Sequence, residues 1–480
     1  MSAADSLQAA IAAHRFGLGE ASLATVGPDP ARWLESQIGP ADAPRGEGLL
    51  NTSQALAHVA AERAERRERK ARPPPEMNEA SAAPQAAAAL ALGAHYREVI
   101  VADARSRLLT AATTQRPFAE RLQWFWANHF TVSLAKGTAR GLVGAFERDA
   151  IRPNIAGSFE QLLLASTTHP AMLRYLDNVQ SAGPNSTVVA RLARRNNGTN
   201  DKAPRVTGLN ENLAREVLEL HTLGAESARG ASPVYTQADV TQFARVLTGW
   251  RVGYQESDDS RRFDAAWHEP GPKTVIGRSY AEGPQALRQV LHDLAYHPAT
   301  ARFVATKLAR HFVADDPPAT LVDRLADVYQ RHDTQLAPVY RALIASPEAW
   351  RPQAAKLKTP EEFVVSSVRM LSIDPRFFER GNAQSAAAVG TLGQRLQAAP
   401  SPAGWSDRAD DWLGPDAVWK RIEWATRTAD RLGGSVDARS LAVRSLGPLL
   451  STETRTQLDR AADGSQALAL LLMAPEFQRR

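Results

Sequence analysis

The sequence predicts a mainly α fold, a multi-helix globular body with a small inserted β-hairpin. Three observations carry this expectation. Apolar residues recur at spacings of three and four along most of the 480 residues, the period of a helix with one buried face. A small or polar residue followed by proline precedes several of these stretches, at His169-Pro170, His297-Pro298, Ser346-Pro347, Thr359-Pro360 and Ala474-Pro475. Proline at the first helical position forfeits no intrahelical bond, and the carboxylates of Glu348, Glu361 and Glu476 that follow suit the helix dipole, so these are read as helix starts and not as active sites. Between Trp250 and Tyr280 the period changes, to the alternation Phe263, Ala265, Trp267 followed by Pro270, Gly271 and Pro272, which reads as the hairpin.

Taken in order, a charged, alanine-rich helix is expected from about Thr52 to Arg72, where three prolines must end it. Residues 73–88, rich in Pro, Ala and Ser, read as a flexible surface loop, and helical periodicity resumes near Ala89. The segment from Ser181 to Asn210, dense in Gly, Pro, Asn and Arg, reads as a long irregular loop. This divides the chain into an N-terminal helical region (1–180), the loop (181–209) and a C-terminal helical region (210–480) with its hairpin at about 250–280, together one continuous domain. The chain exceeds the size at which a single core stops growing, so two packed lobes or one body with insertions are both expected.

Composition removes several function classes. There is no cysteine, which excludes disulfides and thiolate sites and leaves His, Asp and Glu as the strong metal ligands. The net charge of +5 is spread among nearly equal numbers of acids and bases, so nucleic-acid binding ranks last among the readings. No stretch approaches 18 uninterrupted apolar residues, and the first twenty residues show neither a signal peptide nor a twin-arginine pair, so no membrane span and a cytoplasmic address are expected. Phosphate loops, dinucleotide fingerprints, Gly-x-Ser-x-Gly elbows and His-Glu-x-x-His are all missing.

The stretch NENLAREVLELHTLG, 210–224, carries the most chemistry. Asn210 as N-cap and Gly224 as stop frame a helix of about three turns. At about 100° per residue, Asn212, Glu216, Glu219 and Leu223 share one stripe with Arg215 at its edge, while His221 lies on the apolar side. Two glutamates so placed suit an acid/base pair or a carboxylate metal site, and they equally suit a solvated helix face with an Arg partner. His221 reads either as a core histidine near the helix end or as a binding group. Asn128 and His129 lie among aromatics in WFWANHFTVS, 124–133, where a buried histidine is displaced in pKa. Asp177 and Asn178 end MLRYLDNVQS, 172–181, as turn caps or as ligands. His268, Glu269 and Lys273 surround a Pro-Gly turn, which suits a binding site or a plain surface.

The ordered series HRFGLG (14–19), FWANHFTVS (125–133), HPAMLRYLDN (169–178), NENLAREVLELHTLG (210–224), YTQADV (235–240), LTGW (247–250), HEPGPKTVIG (268–277) and HPATARFVATKLARHFV (297–313) resembles the bacterial family called domain of unknown function 1800. PAGW (402–405) and APEFQ (474–478) resemble that family's ending. The resemblance implies a mainly helical fold and no assigned activity. It further implies a twin-arginine-exported partner, similar to sulfatases and phosphatases, encoded nearby. Two departures stand out: the family often has His where Ala127 stands, which removes one potential ligand, and usually Asp where Glu269 stands.

The leading functional expectation is a hydrolase acting on a polar, glycan-like or ester substrate, with Glu216, Glu219, His129 and Asp177 as catalytic groups. Asn128, Asn178, Asn212, Arg215, His221, His268 and Lys273 are the expected substrate-binding groups. A divalent metal as cofactor is one of two options, with Asp177, Glu216, Glu219 and His129 as its candidate ligands; a metal-free carboxylate pair is the other. The alternative function is a non-catalytic partner of the exported neighbour, reaching the periplasm by co-export.

Overall fold

Helices open where the proline signals place them. In the computed structural model, which describes residues 3–71, 82–196, 208–253, 261–374, 378 and 384–480, Pro170–Tyr175, Pro298–Phe312, Pro347–Trp350, Pro360–Met370 and Pro475–Gln478 each begin on the proline. At two of them a histidine is the cap: Nδ1 of His169 accepts from Ala171 N and Nδ1 of His297 accepts from Ala299 N, each at 3.1 Å. Thr359 and Glu362 form a reciprocal capping box on the fourth. The protein is 63% helical, with 22 helices and two small antiparallel sheets among the described residues.

Local propensity extends two helices into regions where loops are expected. Residues 82–88 are the first turns of the helix Ala82–Thr113, because alanine is the strongest helix former and the one proline, Pro84, sits in the first turn where it costs no bond. Thr187–Asn196 is helical within the stretch expected to be irregular. The remainder of those two expectations, 73–81 and 197–207, lies outside the described residues.

The β insertion is two hairpins rather than one. Trp250–Val252 pairs with Arg261–Phe263 in the register Trp250↔Phe263, and Lys273–Val275 pairs with Arg278–Tyr280 in the register Lys273↔Tyr280. Ala265 and Trp267 lie in a turn, and Pro270-Gly271-Pro272 connects the two hairpins without closing either. The second hairpin closes through Ile276 and Gly277, at φ 47° and 72°, the conformation of a type I′ turn. An isoleucine at positive φ is strained, and Asp239 Oδ1 anchors it by accepting from Ile276 N at 2.7 Å.

Two large apolar cores and a small cluster of Leu357, Ala409 and Trp412 result among the described residues. The first runs from Ala9 to Ala349 and takes side chains from both sides of the 181–209 segment. The second gathers Val364, Val368, Ala425, Leu441, Leu468 and Phe477 with Leu18, Leu108 and Trp124 from the N-terminal third. The helix Pro117–His129 lies between them and is buried from Pro117 through Trp126. Leu122, Phe125 and Trp126 enter the first core and Trp124 the second. A helix buried on all sides must pair its polar residues. Glu120 therefore meets Arg152 through two bonds of 2.9 and 2.5 Å, and Arg121 meets Gly17 O at 3.0 Å and Glu362 at 2.5 Å.

Three helical segments among the described residues widen into π turns: Ala12–Phe16, Glu147–Ile151 and Val217–Thr222. Such turns are rare and frequently mark functional sites. In the last, Thr222 Oγ1 bonds Val217 O at 2.6 Å, and Leu223 N reaches Leu218 O at 2.9 Å.

The Glu120–Arg152 pair tests this account of the central helix. Arg152→Met strands a buried carboxylate and lowers the unfolding free energy by about 3–5 kcal/mol. Urea unfolding of Glu120→Leu/Arg152→Met is expected to recover most of that loss.

Candidate functional site

A cavity of about 80 Å3 opens where the two cores meet. Its walls come from the end of the Pro117–His129 helix, the Pro298–Phe312 helix, the first turn of Pro360–Met370 and the segments 394–399 and 405–407. Lys307 and His311, four residues apart, present one face of their helix to it.

His311 is the best-placed chemical group. Its Nδ1 stands 2.9 and 3.0 Å from the two carboxylate oxygens of Asp407, and its Nε2, buried, has no hydrogen-bond partner among the described residues. Burial pushes the imidazole below its usual pKa, against the pull of Asp407. Burial would raise Asp407, but His311, Lys356 and Arg480 outweigh it and hold the carboxylate well below its usual range. The stable state near neutrality is thus a neutral imidazole donating Nδ1–H to an ionised aspartate, with the Nε2 lone pair free. Lys307 lies beside this pair, and burial lowers its ammonium to about 8 although Asp407 opposes the shift.

A second charged wall faces the pair. Arg107 bonds Glu361 at 2.5 and 3.2 Å and Glu147 at 2.9 Å, with its guanidinium 5.2 Å from the centre of the Trp124 ring. Gln397 Nε2 donates to the other oxygen of Glu147 at 3.1 Å. Burial raises Glu361 while Arg107 pulls it down.

Asn128 fixes the loop that carries Asp407. Its Oδ1 accepts from Trp405 N at 2.8 Å, and its Nδ2 donates to Trp405 O at 2.9 Å. Gly404 must be glycine here: φ is +84°, and a Cβ would lie 2.6 Å from the carbonyl and side-chain oxygens of Asn128. Lys356, with no exposed side-chain surface, donates to Asp407 O and Asp315 and ties the far side of the loop.

The sequence-derived candidates fall into four separate places. Asn128 and His129 line the cavity. His129 Nε2 donates to His221 O at 3.0 Å, and the two rings lie 6.1 Å apart. Burial holds both neutral, His221 at about 3, with the charge of Lys307 adding to the effect. Arg215 bridges Glu219 to Glu211 at 3.3 Å each. Burial and then the Glu219 charge raise Glu216 to about 7. Asn212 is exposed, its amide bonded to Asn210 Oδ1 at 2.9 Å. Asp177 pairs with Lys136 and is not among the charges that Glu216 feels. Asn178, buried, spends its Nδ2 on Leu247 O and Trp250 O, each at 3.1 Å. His268 and Lys273 form a buried pair at 2.9 Å, the lysine also donating to Glu269 O. Among the described residues no group of three or more His, Asp or Glu side chains stands close enough to hold a metal ion.

The family model described as "Protein of unknown function (DUF1800)" matches residues 11–479. The chain belongs to the DUF1800 family. No curated protein and no solved structure matches it.

In this DUF1800 chain, sequence reasoning missed His311, Asp407, Lys307 and Glu361 as cavity groups. A usable signal was present for two of them: Lys307 and His311 are polar residues four apart, on one face of a helix. Glu361, read as a helix start only, both begins a helix and lines the cavity.

Two measurements test these assignments. Gly404→Ala and Asn128→Ala each release the 405–407 loop and cost about 1–3 kcal/mol in denaturant unfolding. For Glu216, the native carboxyl keeps a proton that the unfolded chain loses between about pH 4.5 and about pH 7. Its burial therefore costs stability as pH rises through that window. Glu216→Gln is expected to raise the melting temperature by a few degrees at about pH 8 and to leave it unchanged at about pH 4.

Proposed function

We propose that this protein is a hydrolase of small polar esters and that the cavity between the two cores is its reacting centre. The observation that carries the reading is the His311–Asp407 pair, an oriented neutral imidazole on a residue that lines the cavity together with Lys307, its buried Nε2 without a hydrogen-bond partner among the described residues. This is the geometry of a general base held in the right tautomer by a carboxylate.

In the proposed reaction, His311 Nε2 takes a proton from water as the water oxygen adds to the ester carbonyl carbon. Lys307 offsets the charge gathering on the carbonyl oxygen. Collapse breaks the bond to the leaving alkoxide, which takes the proton back from His311, so the base is regenerated. The small volume suits an acyl group entering from solvent, with the rest of the substrate outside. Glu147 and Glu361 share the single Arg107 guanidinium and set the cavity's polarity without a proton-transfer role. The proposal moves the catalytic centre from Glu216 and Glu219 to His311 and keeps the substrate class expected from sequence, narrowed to esters.

A panel of short-chain esters assayed with wild type, His311→Gln and Asp407→Asn tests it. Loss of about 10²–10⁴ in kcat/KM in the His311 variant, with an unchanged fold, is expected; equal rates in wild type and variant contradict it. The pH profile is a second readout. His311 must be neutral and Lys307 charged, so activity rises to a plateau below about 6.5 and falls near about 8, and Lys307→Met removes the alkaline limb.

A further inference from the structure

On the other side of Arg480 lies a second cavity of about 330 Å3, within the size range of small-molecule sites. Ile11, Pro352, Ala354, Leu449 and Pro475 make its apolar wall, and Arg15 sits among them. The guanidinium of Arg15 is buried, with 3% of the residue exposed, and donates to Ala349 O at 2.6 Å and Gln353 O at 2.8 Å. Its Nε has no hydrogen-bond partner, and among the described residues no carboxylate forms an ion pair with it.

The surrounding charges leave this guanidinium uncompensated. Burial, and then repulsion from Arg480, lower Arg15 to about 10. Arg480 already pairs with Glu362, at 3.0 and 3.2 Å, on the side away from this cavity. The one carboxylate side chain on the wall among the described residues, Glu476, is occupied by Ser451 N at 2.9 Å and Thr454 Oγ1 at 3.0 Å. His14, which also lines the space, spends its Nε2 on Ser445 O and is neutral, so it adds no charge. Arg479 adds a third arginine to the wall, beside Arg15 and the paired Arg480. A buried charge without a counter-ion is costly, and an apolar cavity beside it is filled most favourably by a molecule that supplies both an anion and apolar surface.

We propose that this cavity binds a small amphiphile with a carboxylate head, the head on Arg15 and the apolar body along Ile11, Pro352 and Leu449. Guanidinium suits a carboxylate because its fork of donors matches the two oxygens.

Octanoate, octanol and acetate are titrated against the full chain, read by calorimetry and by melting temperature. Octanoate is expected to bind saturably with one site and to raise the melting temperature, with octanol and acetate at least tenfold weaker. Leu449→Trp, which fills the cavity, is expected to abolish octanoate binding, and Arg479→Ser, at a half-buried position, to weaken it severalfold. Arg15→Met is expected to abolish it also; should that variant not fold, the other two decide. Equal binding of octanol and octanoate, no saturable octanoate binding, or wild-type octanoate affinity in Leu449→Trp overturns the proposal.

Discussion

The structure depends on one buried carboxylate, Glu362. Its oxygens accept from Arg121 at 2.5 Å and Arg480 at 3.2 Å, and from the amide of Thr359 at 2.9 Å. Those partners come from the central helix, the end of the chain and the cap of the Pro360–Met370 helix. Burial would raise the carboxyl, but Arg121 and Arg480 outweigh it and keep it ionised. Breaking such a pair leaves a charge with no partner in a dry interior, so the two cores are held in one relative position by electrostatic necessity as well as by apolar packing.

The chemistry of the cavity follows from that position. The Pro298–Phe312 helix belongs to the first core and brings Lys307 and His311; the Pro360–Met370 helix belongs to the second and brings Glu361. Arg480 connects the two, since its Nη1 donates to His311 O at 2.5 Å while its Nε holds Glu362. Asp407 arrives on a loop pinned by Asn128 and Lys356. The pair His311–Asp407 is therefore assembled from segments 96 residues apart, each held by partners of its own.

What was legible in the sequence was local. Proline starts and the positive-φ stop at Gly224 are decided by backbone geometry within one turn, and the structure shows both, whereas the helix expected to be capped by Asn210 begins after Glu211 and widens into a π turn at Val217. The site is not local. Thr359-Pro360-Glu361 reads as a helix start because it is one, and nothing within the helix says that Glu361 meets Arg107, 254 residues away in sequence. The same holds for Asn128, whose place beside His129 suggested substrate binding and whose amide is spent on the backbone of Trp405. The hairpin turn was hidden for another reason: Ile276 adopts a positive φ that its side chain disfavours, and the support comes from Asp239 on a distant helix. The resemblance of the ordered motifs to the DUF1800 family was legible from end to end, because it draws on many short segments at once.

The most direct test of the central claim is the 15N NMR spectrum of the His311 side chain as a function of pH. The account predicts a neutral ring at pH 7, protonated at Nδ1 and bare at Nε2, with its pKa below 6.5. A ring protonated at Nε2, or one that is cationic at pH 7, would contradict it.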